Sequence, residues 1–247
     1  MNRNEFLDAL TITRINLKLV GATLEILSDD IDDVHVMVSG ADRDVNALRI
    51  AAQADQLIVE QPATALAKNP VGVSWMQLTL RLPRTWKGRI DARTVSGWIN
   101  VRTLSGADAA LESVSGTITA SGMDFFTISL RSVTGDVKLM DASCEKCTLA
   151  STSGDVSASA VSLRTCSVTN ITGNASLALV TPFEEITATS VTGDVTIDAP
   201  VSECDAVLRS VAGRIRTSSV SIVEGAARVR VTTVSGGLDI TRTEMAE

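Results

Sequence analysis

Four-residue phrases ending in glycine recur through most of the chain. TVSG, TLSG, SVSG, SVTG, STSG, NITG, SVTG, SVAG and TVSG close on Gly97, Gly106, Gly116, Gly135, Gly154, Gly173, Gly193, Gly213 and Gly236. Leaving aside Gly106, which sits half a unit along, the spacing is 19 or 20 residues, with one step of 23 at the end. A fixed period of this length is the mark of a stacked repeat architecture, in which one unit cannot bury its apolar face without its neighbours.

Aligned on the glycines, the apolar residues fall into columns. Two before the glycine stand Val95, Val114, Val133, Thr152, Ile171, Val191, Val211 and Val234. Two after it stand Ile99, Ile118, Val137, Val156, Ala175, Val195, Ile215 and Leu238. Further columns lie four after, and five, seven and ten before; the last holds Phe125, Cys144, Leu163 and Phe183. The step of two is strand alternation. Each unit therefore supplies two short strands with inward side chains, and each strand pairs in parallel with its equivalent one unit on. Glycine serves a corner where backbones approach closely. The hydroxyls one and three before it, such as Ser132 and Thr134, are expected to form outward ladders.

Before the glycine phrases the same beat continues. Gly21 and Gly40 are 19 apart, and Ile15, Leu17 and Leu19 are answered by Val34, Val36 and Val38. Leu57 and Val59 are answered 21 residues later by Leu78 and Leu80. The expected fold class is all-β: a right-handed, single-stranded parallel β-helix (β-solenoid) with about 19–20 residues per turn. A single domain spans 1–247, with irregular turns over 1–85, a loop over 60–75, regular turns over 86–241 and a tail over 242–247. Almost no α-helix is expected.

Composition fits this core. Apolar residues make up 45% of the 247, yet aromatics only 3% and tyrosine is absent, leaving Val, Ile, Leu, Ala and Thr to fill the interior. A net charge of −7 argues against a nucleic-acid binder, whose footprint would be basic. Neither a signal peptide nor an apolar run of membrane-spanning length is visible, so the expected location is cytoplasmic, without direct membrane insertion.

The stretch LTLRLPRTWKGRIDARTVSGWINVRTLSGADAALESVSGTITASG resembles the putative adhesin family, a bacterial domain of unknown function related to the head GIN domain. The resemblance spans roughly residues 12 to 241. It implies the β-helix and supplies no catalytic residues. Some relatives carry membrane anchors or accompany cell-envelope stress systems, which implies an accessory or sensing role.

No catalytic or cofactor signature stands out. His35 is the sole histidine and alternates with Val34 and Val36 in a strand, so no triad or histidine metal site can be built around it. Asp136, Asp155, Asn174 and Asp194, each just after a phrase glycine, stack as solvated turn residues or hold a cation. Cys144 and Cys147 form a CxxC, but with Cys166 they occupy apolar columns and read as buried hydrophobes without metal. Cys147 and Cys166 are expected as neighbours in adjacent turns.

Trp75, Trp86 and Trp98 form the candidate interaction surface. Trp98 takes the outward slot that aspartates hold in later turns, and Trp86 is expected on a neighbouring outer position. They either clamp the 60–75 loop or receive a partner. The functional expectation is a noncatalytic structural or protein-interaction solenoid, without cofactor, binding an unknown protein partner or itself as a scaffold. The alternative is a carbohydrate-active enzyme on a β-helix, which an acidic groove with three or more carboxylates would favour.

Overall fold

The computed structural model describes residues 1–62 and 76–243. In chain order the elements are β1 (Asn2–Asp8), β2 (Arg14–Asp29), β3 (Asp33–Ser39), helix α1 (Asp42–Ala47), β4 (Arg49–Gln53), β5 (Gln56–Glu60) and β6 (Met76–Pro83). Then come β7 (Arg89–Ser96), β8 (Ile99–Ser115), β9 (Ile118–Thr134), β10 (Val137–Ser153), β11 (Val156–Thr172), β12 (Ala175–Leu179) and β13 (Glu185–Thr192). The last are β14 (Val195–Ala199), β15 (Glu203–Ala212), β16 (Ile215–Ser218), β17 (Ser221–Ile222), β18 (Arg228–Ser235) and β19 (Leu238–Arg242).

From β7 to β14 the repeat and the ladder coincide. Parallel pairs run β7 to β8, β8 to β9, β9 to β10 and β10 to β11, each displaced by one repeat. Val137 pairs with Val156, Val156 with Ala175 and Ala175 with Val195, so the column two after the glycine is one buried line. The columns at four after, and at five, seven and ten before, also face inward through these middle units.

Two columns lie opposite to expectation. The side chains two before the glycine point outward, with Val95, Val114, Val133, Ile171, Val191 and Val234 42–48% exposed. The hydroxyls three before it point inward, where Ser132 Oγ donates to the Gly116 carbonyl at 3.1 Å and Ser151 Oγ to that of Gly135 at 3.0 Å. Alternation explains the correction: positions five and seven before the glycine are core, so three before must share their face and two before must not. The column three before the glycine is thus internal, and Ser132 and Ser151 bind the carbonyl of the preceding phrase glycine, while the hydroxyls one before it, such as Thr134, face outward as expected.

A second corner comes six residues after the glycine. Thr103, Gly122, Asp141 and Ala160 adopt φ of 49°, 65°, 49° and 53°. Only one of the four is glycine, so composition does not reveal this bend, and a left-handed backbone at the others is a local strain that the stack imposes.

The N-terminal third departs further. β3 runs antiparallel to β1 and to β6, rather than stacking on β2, so Val34, Val36 and Val38 do not continue the line of Ile15, Leu17 and Leu19. Leu57 pairs with Ile15 and Leu78 with Leu24, so these leucines lie in successive arms of one layer. A period-two pattern reads the same in both strand directions, and spacing alone could not distinguish them.

Chain order and stacking order also part company at both ends. β2 pairs with β5 and β6 on one side and with β7 and β8 on the other, so the first arm is second in the stack. At the far end β18 lies between β13 and β15. The last unit is thus inserted beneath the one before it.

Candidate functional site

The corner after each phrase glycine carries the acid series, and its role is structural. Asp136 Oδ1 accepts the backbone N–H of Asp155 at 3.0 Å, and Asp155 Oδ1 that of Asn174 at 2.8 Å. Asn174 Oδ1 accepts from Asp194, and Asp194 Oδ1 from Gly237 at 2.7 Å. Each side chain thus satisfies the corner N–H of the next unit, a backbone donor that the ladder leaves over. Among the described residues no group of three or more His, Cys, Asp or Glu is placed to hold a metal ion.

A groove of about 670 Å³ runs along the side opposite that corner. Its floor is apolar, formed by Phe125, Cys144, Leu163 and Phe183 from successive units. Asp124, Ser143, Ser162 and Thr181 line one side, with Ser162 and Thr181 hydroxyls 2.9 Å apart. The other side carries Phe126, Glu145, Arg164 and Glu184. Three carboxylates therefore border the groove, the number expected of an enzyme. Arg164 occupies two of them, at 3.6 Å from Glu145 and 2.7 Å from Glu184. Its hydrogen bond holds Glu184 below the usual carboxylate range, the wrong direction for a general acid. Among the described residues the one carboxyl pushed upward, Asp198, owes this to burial and then to Asp239, and it does not line the groove.

Under the groove, Cys147 and Cys166 are paired neighbours in adjacent units, as the column alignment predicts. All four cysteines are buried free thiols. The Cys147 thiol hydrogen-bonds to those of Cys144 and Cys166, which, with burial, pushes Cys147 well above the ordinary thiol range. The same bond lowers Cys144.

Trp86 and Trp98 do not form one surface. Trp98 is 61% exposed, in the outward slot assigned to it. Trp86 is a correction: it is 6% exposed, and its Nε1 donates to the Ile12 carbonyl at 2.8 Å. The ring closes the core where β7 begins, beside Gly88. Trp75 and most of the 60–75 loop lie outside the described residues. His35 sits on the outer face of β3, edge-on to Phe6 at 4.6 Å.

The surface that sequence reading missed is the outward apolar column. In stacking order it runs Val95, Val114, Val133, Thr152, Ile171, Val191, Val234 and Val211, one side chain per unit on a single flank. The alternation from the core columns was the signal that could have found it. Among the described residues no helix is long and apolar enough to cross a membrane.

Residues 12–241 match the family model Toastrack DUF4097. Among solved structures, a putative adhesin from Bacteroides fragilis superposes with a TM-score of 0.61 at 14% identity, covering 98% of this chain and 96% of that one. A putative adhesin from Parabacteroides distasonis gives 0.60 at 10% identity, covering 97% of each chain. A protein described as a putative lipid binding protein, also from Parabacteroides distasonis, gives 0.51 at 10% identity, covering 99% and 96%. At such identities the likeness establishes the fold alone. A search of curated proteins returns no match.

Proposed function

The chain belongs to the Toastrack DUF4097 family, and on that premise we propose that it is a noncatalytic interaction module, a right-handed β-solenoid that offers one flank to a protein partner. The observation that carries this reading is the outward column: the same position is apolar and exposed in seven of eight units. Scattered exposed apolar residues need no explanation, but a contiguous strip does. Eight units at about 4.8 Å give a strip about 34 Å long, enough to seat an extended partner segment. Arg93, Glu112 and Arg131 lie two residues before it along the same outward face, giving the strip a charged border at one end.

The relatives described as adhesins support a role in surface contact. The groove supports an enzyme less well, because Arg164 already engages two of its carboxylates. A triple variant, Val114→Lys, Val133→Lys and Val191→Lys, tests the reading. It should keep the parent's circular dichroism and melting temperature while losing a partner retained by the immobilised parent protein. If the parent hydrolyses a polysaccharide and Glu145→Gln with Glu184→Gln abolishes this, the enzyme reading replaces it.

A further inference from the structure

The two ends of the stack are finished differently. At one end β3 and β4 fold antiparallel onto β6 and β5, and Val45 and Leu48 bury themselves over the core. At the other, the unit of β15 and β16 has, among the described residues, a neighbour on one side only. Among the described residues, β15 pairs from Asp205 to Ala212 with β18 alone, and β16 with β19 alone. The side chains register this. Ile215 is 45% exposed, whereas its equivalents from Ile99 to Leu238 are at most 3% exposed. Ala206 and Leu208, members of core columns, are half-buried. An unpaired edge over an incompletely covered core is a template for one more strand.

The sequence of β15 complements itself. Laid antiparallel on a second β15 about a two-fold axis at Val207, it sets Asp205 against Arg209 twice, Ala206 against Leu208 twice, and Val207 against its counterpart. Opposed residues of an antiparallel pair share a face. The inward Ala206 and Leu208 therefore meet over the joined cores, while Asp205 and Arg209 meet outside. Within its own chain neither Asp205 nor Arg209 forms an ion pair among the described residues.

We propose that the protein forms a two-fold dimer by antiparallel pairing of β15 with β15 of a second copy, each chain closing the open end of the other. An isologous contact of this kind is self-limiting, so assembly stops at two. The proposal is independent of the partner-binding flank.

Sedimentation of the full chain across a range of concentrations tests it. The expected mass doubles as concentration rises. Asp205→Arg and Arg209→Asp each place like charges opposite one another twice, and each should weaken dimerisation at least about tenfold. The double variant rebuilds both pairs in reverse and should restore the dimer, a rescue that misfolding cannot imitate. Val207→Cys should cross-link to its counterpart under mild oxidation, because facing residues of an antiparallel pair lie within disulfide reach. A single-chain mass at every concentration, a series of higher oligomers, a dimer indifferent to the single reversals, or a double variant without rescue would each overturn the proposal.

Discussion

Two tryptophans 12 apart have opposite situations: Trp86 is buried with its indole N–H satisfied, and Trp98 stands in solvent. Trp86→Ala should cost about 3–5 kcal/mol in urea unfolding, and Trp98→Ala less than about 1. The corner acids invite a similar contrast. Asp155→Asn keeps an acceptor for the Asn174 N–H and should be nearly neutral, as Asn174 itself demonstrates one unit on. Asp155→Ala removes it and should cost about 0.5–1.5 kcal/mol. For Glu184, hydrogen bonding to Arg164 lowers the folded pKa below the unfolded one. Its contribution to stability is therefore present above the ordinary carboxylate pKa and fades as pH falls through the folded value. Arg164→Ala should return the Glu184 titration, followed by NMR, to the ordinary carboxylate range.

At the scale of the element, the strand and its corner set the cost of a change. Val133 and Val137 are four residues apart, on either side of Gly135, and face opposite ways. Val137→Thr buries a hydroxyl among aliphatic neighbours and should cost about 1–3 kcal/mol, while Val133→Thr should stay within about 0.5. The corner between such positions is closed to any side chain. At Gly154 φ is +145°, and a Cβ would stand 2.4 Å from the Gly135 carbonyl oxygen. Gly225 has a φ of +85° with nothing within 4 Å. Gly154→Ala should therefore destabilise more than Gly225→Ala, by at least about 1 kcal/mol, since only the former adds a clash to the strain.

At the scale of the whole molecule, stacking order decides which equivalents are core. Ile118 and Ile215 occupy the same place in their units, yet one has neighbours on both sides and the other on one. Ile118→Ala should cost about 2–5 kcal/mol. Ile215→Ala, measured at a dilution where the chain is monomeric, should cost less than about 1.5, because its side chain leaves water only in part. Equal costs at the two sites would mean that the terminal unit is covered within the monomer.

The repeat, its period and the parallel register of the middle units were legible in the residues alone, because a stack of identical layers imposes the same demand at the same position every time. Val137, Val156 and Val195 were legible as one buried line for that reason. The cysteine columns were legible too, and so was the outward slot of Trp98. Strand direction in the N-terminal third was not, since alternation is symmetric under reversal, and β3 could answer β2 in spacing while pairing antiparallel elsewhere. The placing of the last unit between its two predecessors was equally hidden, because every unit offers nearly the same surface to a neighbour. The left-handed corner at Thr103, Asp141 and Ala160 emerged only in three dimensions, whereas the apolar flank was implied by alternation from the core columns. Which way a side chain faces, and what closes over it, depends on the layers packed around it, and those are chosen by tertiary contact.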